Sequence, residues 1–356
     1  MEISGVDHLG EGRMTGGPII GFFVLRVAVR LSQAGVGDVD PMVTLHKHTP
    51  QHCIDHGASI LQGDPMRLAQ RRDPDGSLHP ALINGDRVYD ITAHLPHAPR
   101  EMIDLLPQVD ALKADLEALL KCPADHRLPD IALAAPITRP GKIMALGLNY
   151  RDHIAEAGLA SPEAQTWFAK MSTAANGPFD AVDLPKVSDK LDYEAELAFV
   201  IGRRTRHADR EQARAAIAGY CVANDVSVRD FQFHSSQFVV GKSFDTHCPF
   251  GPWIVTADEI VDPQTLGIRC FVNGEERQNS NTAGMVFDVF AMVVYLSQAM
   301  TLEPGDLILT GTPAGVGAVR KPRLYLKAGD VVRVEIDEIG HIENRIVPET
   351  TPEPRA

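Results

Sequence analysis

The segment Leu191-Asp-Tyr-Glu194-Ala-Glu196-Leu-Ala-Phe-Val-Ile201 sets two carboxylates two residues apart in a run of β-forming residues. Side chains alternate along a strand, so Glu194 and Glu196 face the same way, and carboxylates held together repel unless a cation lies between them. Hard oxygen donors of this kind suit Mg²⁺, Mn²⁺ or Ca²⁺. Asp225 closes another β-type run, in Asn224-Asp225-Val-Ser-Val-Arg229-Asp-Phe-Gln232, and offers a third carboxylate. Three carboxylates would leave about three positions of an octahedral Mg²⁺ shell for water or a chelating substrate. Alone, a Glu-x-Glu pair is also what the solvated face of an edge strand looks like. The neighbouring segments tip the balance towards a site.

Gly241-Lys242-Ser-Phe-Asp245 places a lysine between a β-type run and a turn in a lysine-poor chain. Gly147-Leu-Asn149-Tyr150-Arg-Asp-His153-Ile-Ala-Glu156 follows an apolar strand, and on a helical turn a carboxylate three residues from a histidine can orient the imidazole and raise its basicity. Gly305-Asp-Leu-Ile-Leu-Thr310-Gly-Thr312-Pro-Ala-Gly315-Val-Gly317 is a strand leaving into a glycine-rich turn. It lacks the Gly-Lys-Ser/Thr ending of a phosphate loop, so its expected use is to present Thr312 and backbone N–H groups to an anionic ligand.

These residues need strands to hold them. Short β-type runs recur from Gly141 to Val347, at Lys142 to Leu146, Leu197 to Ile201, Tyr220 to Asn224, Trp253 to Val255, Ile268 to Val272, Leu307 to Thr310, Val331 to Ile336 and Ile342 to Ile346. Apolar residues three and four apart mark helices mainly at Glu211 to Ile217 and Val286 to Met300. No βαβ repeat appears, which favours an α+β or mostly β roll over a doubly wound sheet. Upstream, 66–140 reads as a small N-terminal domain: strands separated by Asp75-Gly76 and Asn84-Gly85 turns, helical patterns at Glu101 to Leu106 and Val109 to Leu120, then a hinge from Pro136 to Pro140. The catalytic region is expected over 141–347 and a tail over 348–356.

Residues 1–65 show no sustained period and are expected to lie outside the enzyme fold, with Met66 as a natural start. The spacing of His48, His52, Cys53 and His56 is compatible with zinc, but Pro50 prevents one clean helical face. The apolar stretch Pro18 to Leu31 contains Arg26 and Arg30 and is too short to span a membrane. Against 34 Lys+Arg stand 47 Asp+Glu in 356 residues, a net charge of -13 that argues against a nucleic-acid partner. Five cysteines without a Cys-x-x-Cys pair argue for reduced thiols and a cytoplasmic protein.

Taken together the motifs resemble the fumarylacetoacetate hydrolase family. They are Lys142 to Tyr150, His153-x-x-Glu156, Asp192-Tyr-Glu-Ala-Glu-Leu197, Asn224-Asp-Val-Ser-Val-Arg-Asp230, Gly241-Lys-Ser-Phe-Asp245, Val272-Asn-Gly-Glu275 with Gln278, and Gly311 to Gly317, in the family's order. The resemblance implies a mixed β-sandwich roll, a homodimer, and Mg²⁺ (or Mn²⁺ or Ca²⁺) held by Glu194, Glu196 and Asp225. It implies that His153 and Glu156 form a water-activating dyad on a lid and that Lys242 is the active-site lysine. Arg229, Gln232 and Thr312 match ligand-contacting positions, and Lys170 falls where relatives carry a pocket lysine. The expected activity is hydrolysis of a carbon–carbon bond in a 1,3-diketone of the acylpyruvate or fumarylacetoacetate type, in the breakdown of aromatic compounds or sugar acids. Two alternatives stay within the family: decarboxylation of an oxaloacetate-type acid and isomerisation of a 2-oxo-ene-dioate. A third, of another class, is a non-catalytic protein binding a divalent ion.

Overall fold

The computed structural model describes residues 66–350, so the His48–His56 cluster and the apolar stretch at 18–31 lie outside the described residues. Strands dominate, in two large sheets and one small one, as the α+β, mostly β reading expected. The largest sheet has twelve strands, ten in one continuous order and two off it, Ala132–Ala134 paired with Arg67–Arg72 and Ala175–Asn176 paired with Cys248–Thr256. Across it, in order, run His126–Arg127, Arg87–Asp90, Leu78–Asn84, Arg67–Arg72, Cys248–Thr256, Ile217–Asn224, Ala195–Ile201, Leu307–Leu309, Ile143–Gly147 and Thr166–Lys170. The five-stranded sheet is ordered Glu275–Asn281, Gly267–Val272, Val331–Ile336, Gly340–Pro348 and Val182–Leu184. A two-stranded ladder pairs Leu191–Asp192 with Ser227–Val228.

The strand Ala195–Ile201 is buried along its whole length, and its two faces enter different cores. Leu197, Phe199 and Ile201 pack with Ile268, Val334 and Ile342 of the five-stranded sheet, whereas Ala198 and Val200 face Leu105, Leu116 and Ile143. Burial on both faces explains why this strand reads as a continuous apolar run and not as an alternation. Each large side chain so buried contributes about 1.5–3 kcal/mol. Residues from both large sheets fill one core, which is the sandwich arrangement.

The N-terminal hairpin is continuous with this architecture. Arg67–Arg72 pairs antiparallel with Leu78–Asn84 on one side and with Cys248–Thr256 on the other, so the hairpin extends the large sheet. The long helix runs Val289–Ala299, starting later than the apolar period at Val286 because the Asp288 side chain accepts hydrogen bonds from the N–H groups of Phe290 and Ala291. The strand Glu275–Asn281 is polar and was not legible from periodicity; its pairing with Gly267–Val272 holds it in place.

Candidate metal centre and active site

Antiparallel register sets the site. Ala195 lies opposite Asn224, which brings Glu194 and Glu196 beside Asp225 at the ends of two central strands. The Glu194 N–H donates to Asn224 Oδ1 (2.9 Å) and the Asp225 N–H donates to the Glu194 carbonyl (2.9 Å). Each of the three carboxylates offers an oxygen within 4.8 Å of the other two, and all three residues are buried.

Basic groups close round them. Lys242 Nζ donates to Glu194 Oε2 (2.7 Å) and Asp225 Oδ2 (2.6 Å), lying 5.0 Å from the Phe168 ring centroid. Lys170 Nζ donates to the other Asp225 oxygen (2.6 Å) and to the Val226 carbonyl (3.2 Å). Arg229 Nη1 donates to Glu194 Oε1 (2.6 Å) and Gln232 Oε1 (2.9 Å). Glu196 is served differently: Oε2 accepts from the Gly311 N–H (2.6 Å), and its other oxygen has no donor among the described residues.

The electrostatics follow this asymmetry. Burial pushes the Glu194 carboxyl up, but Lys242 and Arg229 outweigh it and bring it down to about 2. Burial, reinforced by Asp225 and Glu194, pushes Glu196 well above the usual carboxylate range. Burial lowers Lys242 while Asp225 and Glu194 raise it, and the carboxylates win. The cluster therefore lacks positive charge on the Glu196 side. Three oxygen donors with a cation deficit fit a divalent ion, which would share Glu194 and Asp225 with Lys242.

The dyad is carried by the short helix Arg151–Glu156. His153 Nδ1 lies 3.4 Å from Glu156 Oε2, and the Glu156 carboxylate also accepts from the Gly315 N–H (3.0 Å to Oε2). Asp152 Oδ2 accepts from Ser280 Oγ (2.7 Å), tying the helix to the strand Glu275–Asn281. Gly315 has φ +108, and a Cβ there would run into the Arg277 carbonyl. The turn therefore needs glycine for the backbone to approach Glu156.

A cavity of about 560 Å³ joins these groups; His153, Glu194, Glu196, Arg229, Gln232, Lys242 and Thr312 all line it. Three expected site residues do not. Asp225 is wholly buried between the two lysines, Glu156 stands beyond His153, and Lys170, expected in the pocket, is buried against Asp225. Thr312 Oγ1 donates to the Ala195 carbonyl (2.9 Å) and accepts from Gln278 Nε2 (2.8 Å), so it braces the strand that carries Glu194 and Glu196. Asp192 was quoted only as part of a motif, yet it is fully buried. It accepts from Arg229 Nε (2.8 Å) and from the N–H groups of Gly317 (2.8 Å) and Ala318 (2.9 Å). Its place at the head of the Asp-Tyr-Glu-Ala-Glu run was the available signal.

A buried carboxylate triad under three basic side chains, opening into a cavity with a His–Glu pair at its wall, is an enzyme-like site with the donors to hold a divalent ion. The model of the fumarylacetoacetate hydrolase C-terminal region matches residues 142–347, and the chain belongs to that family. Among curated proteins it is 44% identical over 288 residues to the oxaloacetate tautomerase fahd2, mitochondrial, of Xenopus laevis, covering 79% of this chain and 90% of that one. The Bos taurus oxaloacetate tautomerase FAHD2A, mitochondrial, is 44% identical over 289 residues, covering 79% and 92%. Among solved structures, the maleylpyruvate hydrolase of Sphingobium sp. SYK-6 in complex with manganese (II) ion and pyruvate superposes with a TM-score of 0.69 at 34% identity, over 80% of this chain and all of that one. These relatives include tautomerases as well as hydrolases, so hydrolysis is not singled out as the activity. Likewise their mitochondrial names give no support to a cytoplasmic location. Among the described residues no helix is long and apolar enough to cross a membrane.

Proposed function

We propose that the protein interconverts the keto and enol forms of a 2-oxo acid of the oxaloacetate type. This is a proton shuttle of the kind the isomerase alternative required, and it displaces diketone hydrolysis as the principal reading. The observation that supports it most is that a cation-seeking carboxylate triad and a histidine line one cavity, together with tautomerase relatives 44% identical over nine-tenths of their length.

Glu194, Glu196 and Asp225 would hold a divalent ion, Mg²⁺ or Mn²⁺, and the chemistry it would supply there is Lewis-acid withdrawal of electron density from a 2-oxo acid. The protein supplies the rest. His153, oriented by Glu156, removes a proton from C3; the C3–H electron pair forms the C2–C3 double bond, and negative charge moves to the 2-oxo oxygen. Lys242 and Arg229 supply positive charge at that oxygen, Lys242 donates the proton that completes the enol, and Gln232 fixes the guanidinium. Ketonisation runs the same steps backwards. Lys170 is a positioning residue, holding Asp225 from its far side.

Hydrolysis of an acylpyruvate is the second reading, favoured by a cavity far larger than a four-carbon diacid fills. Assays with enol-oxaloacetate and acetylpyruvate, each with product analysis, separate the two. The proposal expects rapid ketonisation without new carbon–carbon cleavage, and about 10²–10⁴-fold loss in His153→Ala with Mg²⁺ binding unchanged. Cleavage of acetylpyruvate at a rate above ketonisation, or full activity in His153→Ala, would overturn it.

A further inference from the structure

The strand Glu275–Asn281 lies at the edge of the five-stranded sheet and shows most of its side chains to solvent, yet Gln278 in its middle is buried. A buried amide has to find hydrogen-bond partners. The register explains how it comes to be inside: Cys270 pairs with Gln278 but Phe271 with Glu276, so Arg277 is an extra residue in the ladder. A bulge of this kind re-aims the side chain beside it, and here Gln278 reaches the strand that carries Glu196. Gln278 Oε1 accepts from the Ala195 N–H (2.9 Å), and Nε2 donates to Thr312 Oγ1 (2.8 Å) and to the Pro313 carbonyl (2.9 Å). Thr312 Oγ1 donates in turn to the Ala195 carbonyl (2.9 Å). Both backbone groups of Ala195, the residue between Glu194 and Glu196, are therefore held by side chains, beyond the point where pairing with the strand Leu307–Leu309 ends.

Two residues further along, Ser280 Oγ donates to Asp152 Oδ2 (2.7 Å), and Asp152 Oδ1 accepts from the His153 N–H (2.7 Å). The bulge itself meets the glycine-rich turn, since it is the Arg277 carbonyl that leaves no room for a Cβ at Gly315, whose N–H holds Glu156. One edge strand thus touches the supports of the triad, of His153 and of Glu156, while neither Gln278 nor Ser280 lines the cavity. We infer that Gln278 and Ser280 are positioning residues: Gln278 fixes Glu194 and Glu196 at their metal-binding spacing, and Ser280 fixes His153 against them. The role of Ser280 rests on the proposed proton transfer by His153; that of Gln278 needs only a divalent ion at the triad. Partners that orient metal ligands are worth about 10–100-fold in metal affinity or activity when removed.

The test measures Mg²⁺ binding to the full chain by calorimetry, and kcat and KM by ketonisation of enol-oxaloacetate. Gln278→Met keeps the length of the side chain, removes its hydrogen bonds, and is expected to weaken Mg²⁺ binding about tenfold. Thr312→Val removes the hydroxyl that joins Gln278 to the Ala195 carbonyl; it is expected to weaken Mg²⁺ binding likewise, and it replaces Gln278→Met should thermal unfolding show that variant to be unfolded. Ser280→Ala is expected to bind Mg²⁺ as the wild type does and to lose about tenfold in kcat with KM unchanged. Ser280→Thr, which keeps the hydroxyl, is expected to restore kcat. A merely structural role would lower the unfolding midpoint without separating Mg²⁺ affinity from kcat. Wild-type Mg²⁺ affinity in folded Gln278→Met or in Thr312→Val, or wild-type kcat in Ser280→Ala, overturns the assignment, and so does a wild type that binds no Mg²⁺. A wild type that binds Mg²⁺ without ketonising enol-oxaloacetate refutes the proposed activity instead. The Mg²⁺ comparison then still decides Gln278, and Ser280 is decided on the cleavage of acetylpyruvate.

Discussion

Arg229 brings a permanent charge into a site where its guanidinium is almost fully enclosed, and Asp192 and Glu194 make that tolerable. Asp192 also holds the backbone N–H groups of Gly317 and Ala318, so one carboxylate connects the arginine to the glycine-rich turn. Removing one partner of a buried pair leaves an uncompensated charge. Asp192→Ala is therefore expected to lower the free energy of unfolding by about 3–5 kcal/mol, read as an earlier midpoint in urea. A shift of less than 1 kcal/mol would show that water replaces the carboxylate. At this scale the sequence was legible where chemistry is local. Glu194 and Glu196 declare themselves by spacing, and His153 with Glu156 by one helical turn. The work of Asp192 was not legible, because its partners Arg229, Gly317 and Ala318 are distant in sequence and met only through folding.

The elements that carry these residues were legible where the pattern had a physical cause. Ala195–Ile201 is apolar because both of its faces are covered, whereas the polar strand Glu275–Asn281 offered no alternation. The glycine-rich turn was expected to present Thr312 and backbone N–H groups to an anionic ligand, whereas Gly311 and Gly315 present theirs to the protein's own Glu196 and Glu156. Adding a methyl at Gly315 forces the turn away from the Arg277 carbonyl and from the helix Arg151–Glu156. Gly315→Ala is expected to reduce kcat at least tenfold through a misplaced His153, a loss typical of misoriented catalytic groups. Mg²⁺ affinity should be unchanged, since Gly315 touches none of the three carboxylates. A variant that loses Mg²⁺ affinity and keeps kcat would contradict the assignment of the turn to the dyad.

Across the whole molecule, acid sensitivity has a traceable contributor outside the carboxylate triad. His247 is buried, its Nε2 lies 2.8 Å from the Asp183 carbonyl, and burial, aided by Lys170, pushes its pKa down to about 3 against that hydrogen bond. The unfolded chain takes up this proton below about pH 6.5 and the folded protein does not. The neutral histidine's contribution is therefore complete above about pH 6.5 and is lost as pH falls towards 3, at up to about 1.4 kcal/mol per pH unit. His247→Gln should flatten the stability profile between pH 4 and 6, and a slope equal to that of the wild type would rule this contribution out. At the same scale the mostly β character follows from strand density in the sequence and the sandwich was what the family resemblance implied, but the continuity of the N-terminal hairpin with the large sheet does not follow, since the pairing of Arg67 with Val255 spans most of the described chain. The proposal that the triad holds a divalent ion for enolisation is tested most directly by the rate of enol-oxaloacetate ketonisation, followed by ultraviolet absorbance, as Mg²⁺ is added to chelator-treated wild-type protein and Glu196→Gln. A rate that rises to saturation with Mg²⁺ in the wild type, and falls at least 100-fold in the variant, is the predicted result. A rate independent of Mg²⁺, or undiminished in Glu196→Gln, would contradict it.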